Sequence, residues 1–143
     1  MTRGRTKISS AAESDYLADV ALAARFPELL DRAQAAEQEF RQAQAASAPV
    51  SVQYPLADAL DTALTDVTRA AYAAQRAEIG PRGYDDRIYH RKAMATSAVH
   101  AWTREAERLL TLRETHRLTG FPARPEAAAL GVEIARLPAE DHA

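Results

Sequence analysis

The chain contains no cysteine, which excludes a disulfide framework, a thiolate metal site and a cysteine nucleophile. Five glycines and seven prolines are too few for a low-complexity or collagen-like chain. No apolar run approaches the ~20 residues that a membrane helix requires. The first residues, Met1 to Lys7, are basic, but no hydrophobic stretch follows them, so no secretory signal is expected. Lysine is nearly missing too, with two against sixteen arginines. Alanine fills 33 of the 143 positions. Both biases follow from GC-rich codon usage and carry no functional weight. What is left is a soluble protein, cytoplasmic or incorporated in a virus particle.

Large apolar side chains are scarce as well. Leu, Ile, Val and Phe together occupy 26 of 143 positions, below the roughly one-fifth that marks disorder in highly charged chains. The net charge is only -2, so a fold is expected, but with a thin core. A thin core is often completed by a partner or by a second copy.

Charge is distributed in blocks. Residues 1–10 carry +3, 11–66 carry -7, 67–124 carry +5 and 125–143 carry -3. A dipolar chain of this kind can pair its own halves or join head to tail with a copy of itself.

Capping and breaking residues divide the chain into helices. Ser9 and Ser10 can cap a helix with apolar positions at Tyr16, Leu17, Val20, Ala21 and Ala24. Phe26-Pro27 predicts a kink or a fresh start. Leu29, Ala33, Ala36, Phe40 and Ala43 then step in a 4-3 rhythm through a helix at 27–46, which Ser47-Ala48-Pro49 ends. The alternation of Val50 and Val52 with Ser51 and Gln53 reads as a short extended connector. Pro55 opens the next helix at 55–79, with its seam at Leu56, Leu60, Ala63, Val67, Ala70, Ala74 and Ala77 and its stop at Gly80-Pro81.

Asp85 and Asp86 begin a last long helix at 85–119. At 1.5 Å per residue it would span about 50 Å against about 37 Å for its predecessor, and so overhang it. A short helix around 126–136 completes the chain. The elements predict an all-α antiparallel bundle of three main helices with a kinked N-terminal helix and a short C-terminal helix. The expected organisation is a basic arm at 1–9, a bundle domain at 10–119 and a tail at 120–143.

Few groups suggest catalysis or metal binding. The histidines are His90, His100, His116 and His142. The Glu-x-x-His spacing of bundle di-metal sites is missing, and His90 and His100 would lie about 80° apart around a helix. No phosphate-cradling glycine loop or nucleophile elbow occurs. No catalytic residue, metal or cofactor is therefore assigned.

Two binding surfaces stand out instead. Ile88, Ala95, Val99, Trp102, Ala106 and Leu109 share a face of the 85–119 helix and are the candidate protein-interface residues. Arg82, Arg87, Arg91 and Lys92, interleaved with Tyr84 and Tyr89, form a basic patch of the type that grips phosphates. Its bland alternative is an Asp-capped helix start whose arginines pair with the acidic 11–66 block. The expected function is a non-catalytic assembly or adaptor protein that binds other protein subunits or itself. Such a protein suits a bacteriophage particle or its assembly apparatus. A small nucleic-acid-binding or regulatory protein using the 82–92 patch is the alternative.

Overall fold

The computed structural model describes residues 7–120. Five α-helices follow one another: α1 Ser10–Ala24, α2 Phe26–Ala45, α3 Val50–Ile79, α4 Arg87–Ala93 and α5 Ser97–Thr115. A 3-10 turn at Pro81–Tyr84 precedes α4, and a π-helical turn at His116–Gly120 extends α5. The protein is an all-α bundle, with α3 at its centre and α1, α2 and α5 arranged around it. The expected C-terminal helix and most of the basic arm lie outside the described residues.

Local chemistry sets most of the boundaries. The Ser9 hydroxyl accepts a hydrogen bond from the Ala12 amide at 3.0 Å and caps α1. Pro27 has no amide hydrogen to continue the α1 ladder, so the helix breaks at Arg25 and restarts. At the end of α2, Ser47 adopts a left-handed conformation with φ 53°. The Ala48 amide donates to the Ala43 carbonyl at 2.9 Å and the Ser47 amide to Gln44 at 3.0 Å. These bonds form a Schellman motif, which reverses the chain into α3. Gly80, with φ 98°, ends α3 in a conformation that side chains disfavour.

Ring and polar contacts show how the helices run. Gln75, late in α3, donates to Thr103, early in α5, at 2.7 Å. His116, after α5, meets the carbonyl of Ala57, early in α3, at 2.9 Å. The helices α3 and α5 are therefore antiparallel. Phe26 packs edge-on against Trp102 and Phe40 against His116. Both steps are fourteen residues, so α2 and α5 run parallel to each other across α3.

The core confirms the predicted seams of α2 and α3. Leu29, Ala33 and Phe40 are buried on α2, and Leu60, Ala63, Val67, Ala70 and Ala74 on α3. Alanine at 63, 70, 71, 73 and 74 keeps α3 slim, so neighbouring helices can approach closely. At about 25 cal/mol per Å² each alanine contributes little area. The larger buried side chains, Phe40, Leu29, Leu60, Leu109, Val67 and Val99, supply most of the apolar burial.

Three expectations need correction. The stretch 85–119 is not one helix: residues 94–96 form a turn between α4 and α5. Thr96 has extended backbone (φ -75°, ψ 152°), its hydroxyl accepts from the Val99 amide, and it donates to the Ala93 carbonyl. A local cap has won over the apolar pattern that runs across it. With 19 residues α5 is about 28 Å long and with 30 residues α3 is about 45 Å, so the expected overhang is absent. Finally, Val50–Gln53 is helical and Pro55 lies inside α3, whose cap is Pro49. Val50 and Val52 are both exposed, so their alternation marks no buried strand face.

Candidate functional site

Residues 80–96 form an elbow that joins α3 to α5 and docks on the start of α1. Gly83 permits its tight first turn, since a Cβ there would collide with the Ile79 side chain. The Asp86 carboxylate accepts the Ile88 and Tyr89 amides, both at 3.0 Å, and so caps α4. Those amide bonds hold its carboxyl below the ordinary range. Asp85, expected to start the helix, turns away instead. It accepts from the Ser9 amide at 3.0 Å and the Ser9 hydroxyl at 3.2 Å.

A second clasp lies beside the first. Asp19 of α1 receives two hydrogen bonds from Arg76 of α3, at 2.8 and 3.0 Å, and another from the Tyr84 hydroxyl. Tyr84 also meets the Tyr16 ring edge-on at 6.3 Å. The Asp19 side chain is only 14% exposed. Burial pushes its carboxyl up, but the bonds from Arg76 and Tyr84 and the Arg76 charge outweigh that and hold it below the ordinary range. Burial and the Asp19 bond push the Tyr84 hydroxyl well up. At the other end of the bundle Arg117 grips Asp61 at 2.7 and 2.9 Å. That bond likewise holds the Asp61 carboxyl low.

Both clamps therefore act through depressed folded-state values. Their stabilisation is present above the ordinary carboxylate range and is lost as pH falls through the lowered values. Thermal stability is expected to be flat from neutrality down to about pH 5 and to drop below about pH 4. In Asp19→Asn that acid loss should be shallower, as circular dichroism melts across the same range would show. An unchanged acid limb in this variant would mean that the clasp does not contribute.

The elbow itself is bare. No residue of α4 is buried, and Ile88 is 65% exposed. Arg82 stays within the elbow, 3.5 Å from Asp86 and 4.7 Å above the centre of the Tyr89 ring. Arg87, Arg91 and Lys92 are exposed and make no ion pair with any described residue. Among the described residues, the ion pairs that join an acidic residue of 11–66 to a base of 67–124 are Arg76–Asp19 and Arg117–Asp61. The α4 bases are not neutralised by the acidic half of the chain.

The candidate interface residues separate into two groups. Val99, Ala106 and Leu109 are buried on the α3-facing side of α5, and half-buried Trp102 packs on the core against Phe26. Ile88 and Ala95 stand on the surface of the elbow. The face shared by all six in a continuous helix does not exist, because the turn at 94–96 interrupts it.

A surface that the sequence did not single out lies on α1. Of its expected apolar positions, Leu17, Val20, Ala21 and Ala24 are exposed and Tyr16 is half-buried, while the fully buried residue of α1 is Ala12. Leu17 is 55% and Val20 39% exposed. The signal was present in the residues: an apolar α1 with only two candidate faces must leave one of them open.

Among the described residues no group of three or more His, Cys, Asp or Glu side chains could hold a metal ion. His116 donates its Nε2 proton to the Ala57 carbonyl, which can only accept. No described helix is long and apolar enough to cross a membrane. Compared with protein-family models, curated proteins and solved structures, the chain matches none of them.

Proposed function

We propose that the protein is a non-catalytic helical assembly module that joins a second copy of itself through the outer face of α1. The observation that carries this reading is the outer face of α1, where Leu17, Val20, Ala21 and Ala24 are all exposed. Exposed apolar patches of this kind mark interaction sites. The outward face of α2, by contrast, carries Glu28, Asp31, Arg32, Glu37 and Arg41, all exposed.

The exposed row Ser14, Leu17, Ala21 and Ala24 has 3-4-3 spacing, which is that of a helix-pairing seam. The row is symmetric about position 19. Antiparallel pairing of two copies sets Leu17 against Ala21 of the other and Ser14 against Ala24. Glu13 of each copy then meets Arg25 of the other, so the charges at the two ends agree with a two-fold arrangement. Small side chains along the row let the two axes approach closely. A dimer of this kind would serve as a building block in a larger particle, and a bacteriophage virion or its assembly apparatus is the setting we propose.

Pairing through one fifteen-residue helix falls at the small end of interface sizes, below roughly 1,200 Å². The solution mass is thus expected to rise with concentration from 15.6 kDa towards twice that value. Leu17→Glu should leave the stability within about 0.5 kcal/mol, as surface substitutions do, and hold the mass at the monomer value. Size exclusion with light scattering over a concentration series reads both. A wild-type protein that stays monomeric at the highest soluble concentration would contradict the reading.

A further inference from the structure

We propose that α4 binds the phosphodiester backbone of nucleic acid through Arg87 and Arg91, on the side of the helix that faces Gly83, His90 and Met94. This goes beyond the assembly reading and uses a different surface.

The argument starts from where charge is left unneutralised. Eight arginines of the described chain form ion pairs, among them Arg82 of the elbow. Three cations that make none lie within six residues on one exposed seven-residue helix. Like charges this close repel one another, and an anionic ligand relieves that repulsion. Arginine presents a planar fork that can hold a phosphate in a bidentate manner.

Geometry selects the side of approach. Arg87 and Arg91 are one turn apart and form a ridge between two open clefts. One cleft, of about 490 Å³, also holds Asp85, Asp86 and Ile88, and its carboxylates disfavour an anion. The other, of about 460 Å³, is lined by Gly83, Arg87, His90, Arg91 and Met94 and holds no carboxylate. Tyr89 lies in the same helix with Arg82 over its ring and part of its surface open. Two residues from either arginine, it lies on the opposite side of α4 and takes no part in the grip.

Fluorescence anisotropy with a labelled oligodeoxythymidine and a labelled mixed-sequence duplex tests the site. Each phosphate contact adds about -0.7 (single strand) or -0.9 (duplex) to the slope of log affinity against log salt. Arg87→Ala/Arg91→Ala should therefore flatten the slope by about 1.4 or 1.8 relative to the wild type, and weaken binding at least about tenfold at 50 mM salt. The comparison is internal, so a contribution of the basic arm cancels. Since α4 buries no residue, the double variant should keep its fold, and Arg87→Lys/Arg91→Lys should retain most of the slope. Arg104→Ala removes an exposed, unpaired cation elsewhere and should change nothing. The proposal is overturned if neither oligonucleotide binds at low salt, or if Arg104→Ala weakens binding as much as the α4 variant. Displacement by polyglutamate as readily as by unlabelled oligonucleotide would also overturn it and point to an acidic protein partner.

Discussion

Replacing Phe40 by alanine is expected to lower the unfolding free energy by about 3–5 kcal/mol, the usual range for a buried phenylalanine. Phe40 is fully enclosed where α2, α3 and the end of α5 meet, with the His116 ring edge-on at 5.6 Å. Few other side chains of this size are buried here, so neighbouring alanines cannot refill the space by changing rotamer. The remaining cavity therefore adds to the lost transfer energy. A domain of this size is stable by only about 5–15 kcal/mol, so the variant should sit near its unfolding midpoint in mild urea. Phe40→Leu keeps most of the apolar volume and should lose roughly half as much or less. Urea titrations of the three proteins measure this. A loss under about 1 kcal/mol for the alanine variant would show that the α2–α5 rung does not anchor the bundle.

The opposite change is expected to be nearly as damaging at Ala106. This residue is fully buried on α5 against α3, which itself has alanine at half of its buried positions. Leucine there needs three additional carbon atoms of room between two helices set close by their small side chains. Such overpacking costs about 1–3 kcal/mol, or more where the backbone cannot move. Ala101, exposed on the same helix, is the control: leucine there should stay within about 0.5 kcal/mol. Equal effects at the two positions would mean that alanine at 106 reflects composition only. A large difference would mean that the helices need it, whatever the origin of the alanine excess.

These effects explain which parts of the fold were legible. The seams of α2 and α3 could be read because Leu29, Phe40, Leu60 and Val67 recur at helical intervals and are covered on that side. Caps and breakers at Ser9, Pro27 and Gly80 were equally clear, as each acts through its own backbone. The break at 94–96 was hidden because apolar positions continue across it from Ile88 to Leu109. The clue was Thr96-Ser97, a capping pair that outweighs a pattern weak at Ala95. The start of α3 at Val50 was misread for the related reason that four residues of alternation cannot separate a strand from a helix turn.

The candidate sites were harder to read, since they depend on which faces find a neighbour. Periodicity marks Val99, Ala106 and Leu109 as an apolar face but cannot say that α3 of the same chain covers it. Nor can it say that Leu17 and Ala21 are left open. The basic patch was visible as a cluster. Arg82 pairs locally with Asp86, four residues on, but that no acidic residue of 11–66 reaches Arg87 or Arg91 depends on how the elbow leaves the bundle, which only the tertiary structure sets.

The absence of cysteine makes the most direct test of the α1 pairing simple, because introduced thiols have no competitors. Mixing Ser14→Cys with Ala24→Cys and oxidising gently should yield mainly the mixed disulfide-linked dimer, since antiparallel pairing brings position 14 of one copy beside position 24 of the other. Each variant alone should cross-link poorly. Equal yields in the mixed and separate samples, or no cross-linking at any concentration, would contradict the proposed assembly.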